Sequence, residues 1–156
     1  PEVNAEFDGA VIRQYATVNL GFACDTPRGL MVPVVHGAQA MGLAEMATRA
    51  KELAKQAAAG SLSPDYLQGG TFTVSNLGAF GITTFTPVIN APQVAILGVG
   101  TTVLRPVRVG DAVEYRDMMQ LSLTLDHRIV DGAPGARFLQ TLTAILENFE
   151  LVCVAG

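Results

Sequence analysis

Apolar residues recur at helical spacing between positions 41 and 59. Leu43, Met46, Ala47, Ala50, Leu53, Ala54 and Ala57 share one face, while Glu45, Arg49, Lys51, Glu52 and Lys55 lie largely off it. Gly60 supplies the stop. A second stripe of Ala136, Leu139, Leu142, Thr143 and Leu146 predicts a helix from Pro134 to about Asn148, capped by Asp131 or Gly132. Elsewhere the period is two. Val18, Leu20, Phe22 and Cys24 alternate with Thr17, Asn19, Gly21 and Ala23, so Val11 to Asp25 reads as one or two strands. The turn residues Pro27 and Gly29 follow, and Leu30 to Val35 returns as a buried strand.

A serine before Pro64 predicts a short helical turn through Leu67, and Gly69-Gly70 breaks the chain before the β-prone Thr71 to Ser75. Phe85 to Ile89 and Val94 to Val99 are predicted strands on either side of Asn90-Ala91-Pro92. Val103 to Val109 and Ala112 to Leu125 form a predicted hairpin around Gly110-Asp111, and Pro1 to Gly9 reads as polar and turn-rich. Strand segments outnumber the two long helices. The expected architecture is therefore an α/β two-layer sandwich, with helices covering one face of a mixed, largely antiparallel sheet.

A chain of 156 residues has room for one packed core. With 49% hydrophobic and 15% charged residues it is no disordered segment, and so apolar a chain is expected to bury surface against partners. A net charge of −4 without any lysine- or arginine-rich run argues against nucleic acid and anionic membrane as partners. Runs such as Leu30 to Val35 fall far short of a membrane span. Cys24 and Cys153 are far apart and belong to no C-x-x-C, which fits a reducing compartment and supports neither a redox motif nor a zinc site.

The chemistry gathers in Asp126-His127-Arg128-Ile129-Val130-Asp131-Gly132, where an apolar strand gives way to a helix. His127 needs no large shift to act as a base near neutral pH. Asp131, one helical turn on, orients the ring or its loop in one reading. In the other it is only the cap of the last helix, with His127 a satisfied strand-end residue. Spacing alone leaves both open. Ser75, at a strand end, is a candidate oxyanion donor or nucleophile, but without a G-x-S-x-G frame an ordinary turn hydroxyl is the commoner role. His36 lies in a loop, and two histidines without clustered cysteines or paired carboxylates form no metal site. Gly98-Val99-Gly100 lacks the third glycine and following helix of a dinucleotide fingerprint.

Several stretches together carry a resemblance. Asp126 to Gly132 resembles the D-H-R-x-x-D-G motif of the catalytic domain of dihydrolipoamide acyltransferases, the E2 components of 2-oxo acid dehydrogenase complexes. Gly21 to Leu30, Gly69 to Gly78 and Thr86 to Pro92 are similar to that family in the same order, so the match covers essentially the whole chain. The resemblance implies a chloramphenicol acetyltransferase-like fold and a homotrimer, with active sites at subunit contacts, that builds a larger cage. It implies acyl transfer between a lipoyl thioester and the thiol of coenzyme A as substrate, without a metal. His127 would be the general base, Ser75 of a neighbouring chain the oxyanion donor, and Asp131 the organiser of the motif loop.

On the same resemblance, residues 1–156 are a single partial catalytic domain. The lipoyl domain with its lipoyl group, the subunit-binding domain that engages the E1 and E3 enzymes, and the start of the catalytic domain would lie outside it. The expected location is the bacterial cytoplasm or the mitochondrial matrix. Ser75 to Gly81 (SNLGAFG) looks closer to acetyl-type members than to succinyl-type ones. Branched-chain acyl transfer, a catalytically silent core scaffold and an antibiotic acetyltransferase of the same fold are the alternatives.

Overall fold

The computed structural model describes residues 1–150; Cys153 and the rest of the 151–156 tail lie outside the described residues. In chain order the elements are β1 (Ala5–Phe7), β2 (Ile12–Gln14), β3 (Leu20–Phe22), β4 (Cys24–Thr26), β5 (Gly29–Met31), β6 (Val34–Val35) and α1 (Leu43–Ala59). Then come β7 (Phe72–Asn76), β8 (Ala95–Val99), β9 (Val103–Val109), β10 (Ala112–Met118), β11 (Leu121–Leu125) and α2 (Gly132–Glu147). Short 3-10 turns occupy Ala38–Ala40, Pro64–Leu67 and Gly78–Phe80.

The main sheet runs β11-β8-β7-β3-β6. Its inner pairings, β8 with β7 and β7 with β3, are parallel, and the outer two are antiparallel. Three hairpins, β1–β2, β4–β5 and β9–β10, stand beside it, so antiparallel pairing still predominates among the described residues. Register separates the two faces. Phe72, Val74, Leu97 and Leu123 face one way with Leu20 and Phe22, and both helices cover this side. Leu53 and Ala57 of α1 are fully buried, near Val35, Leu20 and Phe22. Phe138, Leu139 and Leu142 of α2 pack on Phe72, Val94 and Ala95, with the Phe72 and Phe138 rings 5.6 Å apart. One helical layer on one sheet is the expected two-layer sandwich.

The opposite face carries Gly21, Thr73, Ser75, Gly98, Ser122 and Thr124. No helix covers it. Inside it, the Thr73 hydroxyl donates to Gln93 Oε1 at 2.7 Å, and Gln93 Nε2 donates to the Gly70 carbonyl at 2.9 Å. These pairs satisfy polar groups that burial would otherwise penalise.

Several elements differ from the sequence reading. Phe85 to Ile89 is no strand: β8 already has partners on both sides, and Phe85 and Pro87 instead lie across Gly98, whose added Cβ would meet them at 3.0 and 3.1 Å. Ala112 to Leu125 is two strands in two sheets, because the chain turns at Met119-Gln120, where the Gln120 carbonyl accepts from the Gly100 amide at 2.9 Å. Leu30 to Val35 splits around Pro33, and Leu30 is exposed instead of buried. Pro1 to Gly9 contributes β1 and buries Val3 and Ala5 in the core. On α2 the inward face includes Gly135 and Phe138, while Ala136, Thr143 and Leu146 are exposed. Leu43 of α1 is also exposed. The predicted stop at Gly60 stands: its φ is 70°, its amide donates to the Ala57 carbonyl, and the Ser61 amide donates to that of Gln56.

Candidate active site

The loop that carries His127 is built from its flanks. β11 ends at Leu125, beside Ala95, and the Asp126 amide donates to the Val94 carbonyl at 2.8 Å. The Asp126 carbonyl then accepts from the amides of Ile129 and Val130 at 2.9 and 3.0 Å, closing a tight turn. Val130, 1% exposed, pins that turn into the core. His127 stands out of it with its side chain 76% exposed.

Asp131 occupies the cap position of α2, but its side chain makes no capping hydrogen bond. Its Oδ1 lies 3.9 Å from His127 Nδ1, and the carboxylate is 85% exposed. That is beyond hydrogen-bond length, and both side chains stand largely in solvent.

Two neighbours of His127 that sequence reasoning passed over hold the loop. Arg128 donates from Nε and Nη2 to the two carboxylate oxygens of Asp126 at 2.9 and 2.6 Å, and its backbone amide donates to Oδ1 at 3.1 Å. The guanidinium also lies 4.9 Å from the centre of the Phe7 ring. Hydrogen bonds from Arg128 hold the Asp126 carboxyl below the ordinary aspartate value. An acid and an arginine two residues apart were the available signal. Phe7 gave none, since its segment reads as a polar turn.

Ser75 lies half-buried near the end of β7, at the carboxyl ends of the parallel strands β3, β7 and β8. Open α/β sheets bind ligands at such ends. Its cross-strand neighbour is Gly98, which in turn faces Ser122. His127 is thus five residues beyond the row of Ser75, at the opposite end of the sheet and two strands away. Leu125, where β11 ends, is already roughly 14 Å from Ser75, at about 3.3 Å per residue along the sheet and about 4.8 Å per strand across it. One chain does not bring the two together.

Among the described residues, no helix is long and apolar enough to cross a membrane, and no group of three or more His, Cys, Asp or Glu side chains is placed to hold a metal ion.

Residues 1–154 match the family model of the 2-oxoacid dehydrogenases acyltransferase catalytic domain. The chain belongs to this family. Over 153 residues it is 47% identical to the mitochondrial dihydrolipoyllysine-residue acetyltransferase component of the pyruvate dehydrogenase complex of Schizosaccharomyces pombe, spanning 95% of this chain and 31% of that protein. It is 45% identical over 150 residues to the succinyltransferase component of the 2-oxoglutarate dehydrogenase complex of Rickettsia conorii, spanning 96% of this chain and 38% of that protein. The chain therefore spans about a third of the length of these relatives.

Among solved structures, it matches a dihydrolipoamide acetyltransferase of Azotobacter vinelandii with a TM-score of 0.93 at 42% identity, covering 97% of this chain and 63% of that one. That protein was studied for the role of one serine, one histidine and one asparagine in its catalytic mechanism. The same values relate the chain to the cubic core of the pyruvate dehydrogenase multienzyme complex. In the Azotobacter protein the serine precedes the histidine by 52 positions and the asparagine follows it by four. Ser75, His127 and Asp131 have the same two spacings.

Proposed function

We propose that the intact protein transfers an acyl group between dihydrolipoamide and coenzyme A, within a 2-oxo acid dehydrogenase complex, at a site that His127 of one chain shares with Ser75 of its neighbour. The observation that carries this reading is the arrangement of those two residues. They recur at the spacing of the Azotobacter serine and histidine, yet within one chain they lie at opposite ends of the sheet. A shared site between copies resolves the separation, and among the described residues no helix lies over the polar face that bears Ser75. A homotrimer, as a unit of a larger cage, is the assembly this implies, with E1 and E3 enzymes as partners of the intact protein. Residues 1–156 are then a partial catalytic domain, and the compartment is the bacterial cytoplasm or the mitochondrial matrix.

With Nδ1 turned toward Asp131, Nε2 of His127 takes the proton of the attacking thiol. The thiolate adds to the thioester carbonyl, and the Ser75 hydroxyl donates to the tetrahedral oxyanion. Collapse expels the other sulfur, which recovers the proton from His127. A thiol of pKa about 8.5 is only a few per cent thiolate at neutral pH, and a placed base typically contributes about 10²–10⁴ in rate. Loss of one oxyanion donor costs about 2.7–4 kcal/mol. Asp131 stands at the spacing of the Azotobacter asparagine, so a full negative charge is not what the two side chains share at that position.

The test is mixing. His127→Ala and Ser75→Ala are each expected to lose most acetyl transfer from acetyl-CoA to dihydrolipoamide. Co-assembled at equal amounts, random trimers of the two would recover about a quarter of the wild-type sites. Equal activity of His127→Ala and the wild type, no acetyl transfer by the wild type, as a silent scaffold predicts, or no recovery on mixing, would sink the reading. An acetyl group is the first choice, on Ser75 to Gly81 and the S. pombe relative. The R. conorii relative supports succinyl as the second, and the ratio of kcat/KM for the two acyl-CoAs decides between them.

A further inference from the structure

We propose that Arg128, clamped between the Asp126 carboxylate and the Phe7 ring, is a positioning residue that sets the direction of His127. The proposal rests on the reading of His127 as the base.

Residues 126 and 128 flank His127, and their side chains are joined by a two-armed fork of 2.9 and 2.6 Å. A third bond, from the Arg128 amide to the same carboxylate at 3.1 Å, closes the turn from the backbone side. A ring that ties the side chains at i−1 and i+1 together occupies one side of the turn. The clamp thereby fixes the backbone on both sides of His127, whose own side chain is 76% exposed. The ring is itself anchored. Asp126 is bonded through its amide to Val94 and through its carbonyl to Ile129 and Val130, and its carboxylate is only 17% exposed.

Phe7 belongs to the same scaffold, because its amide donates to the Pro92 carbonyl at 2.9 Å, two residues before Val94. The guanidinium 4.9 Å from its ring is held by a second contact independent of the carboxylate. Only arginine supplies both contacts at once: a planar fork for two oxygens and a flat face for an aromatic ring, where lysine offers a point charge. Exposed ion pairs add little to stability, and Arg128 is 71% exposed, so the geometry of this pair has its effect on placement of the loop.

The experiment uses the intact protein with acetyl-CoA and dihydrolipoamide as substrates. Misplacing a reacting group by about 1 Å costs on the order of 10² in rate. Arg128→Lys, Arg128→Ala and Asp126→Asn are therefore each expected to lower kcat about 10–100-fold, with KM for both thiols within about two-fold. The double variant Asp126→Asn/Arg128→Ala should be no slower than the slower single one, because both break the same clamp. Phe7→Leu should lower kcat by a few-fold.

Wild-type kcat in Arg128→Lys, a loss confined to KM, or singles whose effects multiply would each overturn the positioning role. So would variants that lose their fold, by circular dichroism, while the folded fraction keeps its kcat. His127→Ala separates the two failures. If it is inactive while the Arg128 variants are normal, only the positioning role falls; if it is fully active, the reading of the site falls and this role with it.

Discussion

Asp126 is a residue of the motif loop whose chemistry the structure alters. Its folded pKa is depressed, chiefly by hydrogen bonds from Arg128, so its contribution to stability is complete above the unfolded value. That contribution fades as pH falls through the folded value. Carboxyl NMR should find its midpoint below the ordinary 3.8 in the wild type and closer to it in Arg128→Ala. An unchanged midpoint would mean that the fork does not persist in solution. At this scale the sequence was informative about which residues, and less about how they act. A histidine between strand and helix, with an acid four residues on, marks the loop from spacing alone. The closure of Arg128 onto Asp126 depends on rotamers and on a ring from the far end of the chain, and no local pattern encodes either.

Glycines at strand ends determine how closely the elements approach. Gly100 follows β8 and lies against the 82–83 backbone: a Cβ there would lie 2.1 Å from the Thr83 carbonyl oxygen, and the next amide, of Thr101, donates to the Ile82 carbonyl at 2.7 Å. Backbone cannot step aside as a side chain can. Gly100→Ala should destabilise by about 3 kcal/mol, the upper part of the overpacking range, read as a lowered urea midpoint at unchanged slope. Gly135→Ala is the contrast, since the atom it meets is the flexible end of Leu125.

The two helices were legible because each offers several turns of periodic signal. Short strands offer less. Phe85 to Ile89 has the composition of a strand, but which extended segments pair is decided by which edges are open, and the edges of β8 were already taken. Residues 112–125 alternate without interruption, so nothing local reveals that they serve two sheets.

For the whole molecule, family and fold were readable because separate motifs occur in order along the full chain, whereas the distance between Ser75 and His127 needed the strand register. That register turns two plausible residues into an argument for assembly. Large apolar side chains left in solvent agree with it: Leu104, Val113 and Tyr115 on the β9–β10 hairpin, and Ile145 and Leu146 on α2.

The β9–β10 hairpin carries a further consequence. Its strands pair only with each other among the described residues, and every residue of β10 is exposed. An unpaired edge seven residues long invites other chains to add on. What keeps it from doing so is its own composition: Pro106 lacks an amide hydrogen, and Arg105, Arg108, Glu114, Arg116 and Asp117 interrupt the apolar run with charge. Solubility of the chain is therefore expected to rest on a handful of exposed residues that contribute little to the folded core. Arg116→Val together with Pro106→Val should leave the helical circular dichroism unchanged and move much of the freshly made protein into the insoluble fraction.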